Sequence, residues 1–148
     1  MGIYSEKAVK NFKSGYNCAQ SVFLAFSEDL GFDRETALKL SSSFGGGMGR
    51  LREVCGAVTS MFAIAGLKKG YTSPNDDDAK AHHYKLIQDL AEKFKSEYKT
   101  IICRDLLELP EGADSPIPSA RTNEYYQTRP CENFIRLAAK IVEEELLD

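Results

Sequence analysis

Apolar residues recur along this chain at three- and four-residue intervals, the period of amphipathic helices. In the first segment Tyr4, Ala8 and Phe12 stand four apart with lysines between them, and Gly15 stops the pattern. Asn17 then has the side chain of an N-cap, and Cys18, Val22, Phe26 and Leu30 form the stripe of a second helix that ends at Gly31. Asp33 is placed to cap a third helix through Ala37, Leu38 and Leu40 into Ser41-Ser42-Ser43-Phe44. The run Gly45-Gly46-Gly47-Met48-Gly49 interrupts any helix there.

From about Arg52 to Lys69 the apolar residues Val54, Cys55, Val58, Met61, Phe62, Ile64, Ala65 and Leu67 cover nearly the whole circumference, which predicts a helix in the middle of a bundle. After Gly70 and a polar turn, a long helix is predicted over roughly 79–99, with His83, Ile87, Leu90, Phe94 and Tyr98 inward; it would span about 30 Å. A short helical piece holds Cys103 and ends at Pro110. Between Leu109 and Pro130 there are four prolines and no periodicity, so that stretch is expected to wrap the bundle without structure of its own. The last helix starts at Pro130-Cys131 and turns Cys131, Phe134, Ile135, Ala138, Ile141 and Val142 inward.

No alternating strand pattern, internal repeat or domain-separating linker is evident. The expected fold is all-α, one multi-helix bundle over 1–148 with a central apolar helix and a long proline-containing loop.

Composition agrees with a packed domain. The chain is 43% hydrophobic and 28% charged, unlike a disordered tail or a membrane protein. Its 148 residues can bury a core that needs no disulfides. A net charge of -3 without lysine or arginine blocks argues against nucleic acid as a partner. The first fifteen residues carry frequent charges and no apolar run, which reads as neither signal peptide nor anchor. A cytoplasmic, non-membrane protein is therefore expected, in a compartment that keeps thiols reduced.

That expectation sharpens the interest of Cys18, Cys55, Cys103 and Cys131. None forms the C-x2-C chelate of a zinc ribbon or a thioredoxin-like site. Position is more informative. Cys18 follows a cap, Cys131 follows a proline at a helix start, and Cys103 begins a short helix. Unpaired amides and the macrodipole favour a thiolate there, with Arg52, Arg104 and Arg129 close in sequence. Against this, Cys18, Cys55 and Cys131 lie on apolar stripes, where a cysteine is usually an inert core residue.

The segments Gly15-Tyr16-Asn17-Cys18-Ala19-Gln20-Ser21-Val22 and Gly45-Gly46-Gly47-Met48-Gly49, the latter leading to Val54-Cys55-Gly56-Ala57-Val58, resemble the redox-active protein family labelled C_GCAxxG_C_C. Cys103 and Cys131 complete its pattern. One departure is Ser60, where the family motif has glycine. The resemblance implies a small helical protein with a four-cysteine redox centre, but no substrate and no electron donor.

Three readings of the four cysteines remain open. They cycle as thiol and disulfide, with a redox partner protein; or they hold a metal ion or iron-sulfur cluster, with His83 as a further candidate ligand; or they are inert in a helical interaction module. The sequence assigns no oligomeric state. The glycine run lacks the Lys-Ser/Thr of a phosphate loop and the strand of a dinucleotide fold, so it reads as a close-packed turn. Asp76-Asp77-Asp78 lacks the EF-hand spacing and reads as a capping cluster. His82 and His83 point about 100° apart on a helix, so at most one faces inward. Tyr125-Tyr126 either line a cleft or anchor the proline-bearing loop.

Overall fold

Asn17 shows how these helices are started. In the computed structural model, which describes residues 2–147, its Oδ1 accepts from the Gln20 amide at 2.8 Å while its own amide donates to Gln20 Oε1 at 3.2 Å. This capping box satisfies two amides that the first helical turn leaves unpaired. Asp33 accepts from the Thr36 amide at 3.0 Å, and Asp76 from the Ala79 amide at the same distance. The aspartate cluster thus acts as cap and first turn.

Among the described residues the chain forms α1 (Ile3–Lys13), α2 (Cys18–Ser27), α3 (Arg34–Ser42), α4 (Gly56–Lys69), α5 (Asp77–Tyr98), α6 (Cys103–Leu106), α7 (Asn123–Thr128) and α8 (Cys131–Glu145), with no strand. The all-α architecture follows. Helix α4 packs against α2, α5 and α8, and α1 covers α2 and α8. Between them lie Phe12, Val22, Phe23, Phe26, Val58, Met61, Ile64, Phe94, Ile135 and Val142, all essentially inaccessible. Removing one such large side chain from contact with water contributes on the order of 1.5–3 kcal/mol.

The central helix starts later than the apolar pattern predicts, at Gly56 rather than near Arg52. Backbone φ is positive at Gly46, Gly47, Met48, Gly49 and Arg50 in succession, and again at Arg52. Left-handed residues cannot be absorbed into a right-handed helix. The chain instead passes through a left-handed glycine turn and an extended stretch, in which the Cys55 amide donates to the Ile101 carbonyl at 2.8 Å and the Cys103 amide to Glu53 at 2.6 Å. Periodicity could not reveal this, because Val54 and Cys55 are as apolar as the helix that follows.

The 109–130 segment crosses the bundle, and it is not devoid of structure. Thr122 caps α7 by accepting from the Tyr125 amide at 3.1 Å. Asp114 and Ser115 are tied to Arg50, the Asp114 amide donating to its carbonyl at 2.9 Å and Arg50 Nε donating to the Ser115 carbonyl at 2.6 Å.

Candidate functional site

All four cysteines line one cavity of about 180 Å³. Each stands at the start of a helix. Cys18, Cys103 and Cys131 are the first residues of α2, α6 and α8, and Cys55 is the N-cap of α4, so the later start of the central helix moves the fourth thiol to a helix terminus as well. Cys55 and Cys103 are buried, at 5% and 7% exposure, and Cys18 and Cys131 are half-buried. All are free thiols.

Glycines bring backbone to these sulfurs. A Cβ on Gly56 would lie 2.6 Å from Cys18 Sγ, and one on Gly47 would lie 2.6 Å from Cys103 Cβ. With no side chain in the way, the amides of Gly46, Gly56 and Ala19 donate toward the Cys18 sulfur.

The four thiols differ in acidity. Cys18 is lowered from the ordinary 9.0 to about 6, chiefly because the Cys55 thiol is placed to donate to it; burial opposes the shift and the three amides add to it. Cys55 is correspondingly pushed well above its ordinary value, first by that hydrogen bond and then by burial. Burial also raises Cys103, although Arg52 Nη1 donates to its sulfur at 3.5 Å. Burial and the negative charge of Cys18 push Cys131 up to about 12, against Arg129 and Arg52. The expectation that helix starts and nearby arginines make Cys103 and Cys131 acidic is therefore overturned, because desolvation outweighs both effects.

Four guanidiniums, those of Arg50, Arg52, Arg121 and Arg129, line the same cavity, and among the described residues no carboxylate lines it. Asp114 lies behind Arg52 at 2.9 Å and Arg50 at 3.4 Å, and Arg52 holds its carboxyl below the ordinary carboxylate value. Arg121 donates to the carbonyls of Phe12 at 3.0 Å and Tyr16 at 2.9 Å and lies over the Phe12 and Tyr125 rings. Sequence reasoning singled out Arg52 and Arg129 but missed Arg50 and Arg121, which sit in irregular segments with no periodicity to mark them. Arg104 lies elsewhere, donating to the Leu51 carbonyl at 3.4 Å. Tyr125 lines the cavity, whereas Tyr126 anchors the loop by packing edge-on against Phe12.

Among the described residues no three His, Cys, Asp or Glu side chains stand close enough together to hold an ion, so the thiols share a cavity without meeting at a point. The candidate ligand His83 lies outside it, half-buried beside Tyr71 with an unpartnered Nδ1.

The sequence profile of the family described as "Putative redox-active protein (C_GCAxxG_C_C)" matches residues 16–145. The chain belongs to this family. Nothing among curated proteins or solved structures matched. The match takes in all four cysteines, the glycine turn and the arginines of the cavity. Ser60 is buried and donates to the Ala19 carbonyl at 2.7 Å, so its hydroxyl joins α4 to α2 just behind Cys18. Among the described residues no helix is long and apolar enough to cross a membrane.

Proposed function

We propose that this member of the family is a thiol–disulfide redox protein in which Cys18 is the attacking thiolate and Cys55 the resolving thiol. The observation that carries this reading is that Cys18 and Cys55 line one cavity at two helix starts with the Cys55 thiol placed to donate to the Cys18 sulfur, which lowers Cys18 to about 6 and raises Cys55. At neutral pH the nucleophile is ionised and its partner still carries the proton, which is the pairing that exchange chemistry uses.

In the first step the Cys18 sulfur attacks one sulfur of a substrate disulfide. A mixed disulfide forms and one substrate thiolate leaves. Cys55 then gives up its proton to the first substrate thiolate and attacks Cys18 Sγ, expelling the second substrate thiolate. The substrate gains two electrons and the protein is left with a Cys18–Cys55 disulfide. Its return to the dithiol requires an electron-donating thiol, supplied by a redox partner protein or a small thiol. Cys103 and Cys131 stay protonated at neutral pH and are the slower thiols.

Mild oxidation of the reduced protein followed by peptide mapping tests the reading. The expected product is a Cys18–Cys55 disulfide, and Cys55→Ser should stop at a mixed disulfide on Cys18. A different bridge, or a folded protein whose Cys18 fails to react with a thiol reagent at pH 7, would overturn it.

A further inference from the structure

The electrostatics of the cavity select a substrate. Four guanidiniums face a space in which, among the described residues, Cys18 is the lining thiol whose acidity is raised, and the nearby Asp114 is engaged by Arg50 and Arg52. Arg121 donates to two backbone carbonyls and the Tyr126 hydroxyl, all neutral, and among the described residues it has no ion pair with a carboxylate. Among the described residues the Arg129 guanidinium has neither a hydrogen bond nor an ion pair; it rests over the Tyr125 ring, 5.5 Å from its centre. A half-buried arginine without an anion lacks the partner that its fixed fork of donors matches best, a carboxylate or phosphate.

The space itself limits size. At about 180 Å³ it falls below the ~300 Å³ at which pockets for drug-sized ligands begin. The 109–130 segment supplies Pro118, Ser119, Arg121 and Tyr125 to its wall, and Cys55, only 5% exposed, lines it as well. A small molecule fits this enclosure better than the surface of a folded protein.

We infer that the cavity takes a small disulfide bearing carboxylates, whose anionic end is held by Arg121 and Arg129 while Cys18 attacks its sulfur. This inference rests on the thiol–disulfide reading above and names its substrate class. The exchange is the one already written: one substrate sulfur bonds to Cys18, the other leaves as thiolate, and Cys55 closes the protein disulfide. The arginines hold the carboxylate throughout and exchange no proton.

The test uses full-length Cys55→Ser protein and three disulfides of similar size, namely 3,3′-dithiodipropionate (anionic), bis(2-hydroxyethyl) disulfide (neutral) and cystamine (cationic). Each rate of adduct formation on Cys18, followed by intact mass, is divided by the rate of the same reagent with a free small thiol. The normalised order should be anionic, neutral, cationic, with the spread narrowing as salt is raised. Adding Arg129→Gln should reduce the anionic-to-neutral ratio at least about tenfold, the worth of one charge-assisted hydrogen bond, and Arg129→Lys should restore part of it. Equal normalised rates for all three reagents would overturn the substrate class while leaving the thiol chemistry standing. If none of them modified Cys18, both would fall.

Discussion

Arg52 donates to the Cys103 sulfur at 3.5 Å through Nη1 while its Nη2 holds Asp114 at 2.9 Å. One buried guanidinium therefore links the cysteine cavity to the segment that crosses it. Replacing Arg52 by Ala should cost about 1–3 kcal/mol and free the 109–130 segment from that side of the cavity. Urea unfolding reads the first effect. Faster proteolytic cleavage between 109 and 122, without loss of global helicity, reads the second. Unchanged cleavage would mean that Arg50 alone anchors Asp114.

The acidity of Cys18 predicts two pH dependences. Its alkylation rate should rise with a midpoint near pH 6. Its folded value lies below the ordinary 9.0, so its contribution to stability is complete above about pH 9, shrinks as pH falls toward 6, and is absent below that. Cys131, raised to about 12, acts in the opposite sense: the unfolded chain ionises first, and stability falls as pH rises from 9 toward 12. Denaturant midpoints of Cys18→Ser and Cys131→Ser, compared with the parent protein across pH, should diverge in these two separate windows.

Gly56→Ala and Gly47→Ala should both destabilise but differ at the sulfurs. The new Cβ at position 56 meets Cys18 Sγ at 2.6 Å and the Phe44 carbonyl at 2.7 Å. Relief by displacement should cost about 1–3 kcal/mol and raise the Cys18 midpoint above 6, since the Gly56 amide is among its donors. At Gly47, φ is +67 and the Cβ would meet Glu53 backbone at 2.8 Å, so the cost is similar or larger while the Cys18 titration stays nearer its original position. Paired unfolding and alkylation curves separate the two.

Ser60→Ala removes the hydroxyl that donates to the Ala19 carbonyl, and a loss of about 0.5–1.5 kcal/mol is expected. Ser60→Gly should cost about as much again in helix propensity unless α2 and α4 move closer. Thermal unfolding of the two variants distinguishes a role for the hydrogen bond from a role for close approach.

Local chemistry in the chain determined a good deal here. Caps at Asn17, Asp33 and Asp76, the apolar stripes and the glycine stops placed the long helices, because each depends on residues within a turn or two of one another. They also put three cysteines at helix starts. Tertiary structure decided the rest. The left-handed run from Gly46 to Arg50 delays the central helix and makes Cys55 its cap. The wrapping of 109–130 brings Arg121 over Phe12, far away in sequence, and leaves Arg129 facing the thiols. Above all, the acidity of each thiol was settled by burial and by which sulfur neighbours which. Desolvation and hydrogen bonding act through space, so thiols that differ little in sequence part in acidity only in the folded chain, with Cys18 lowered and the other three raised.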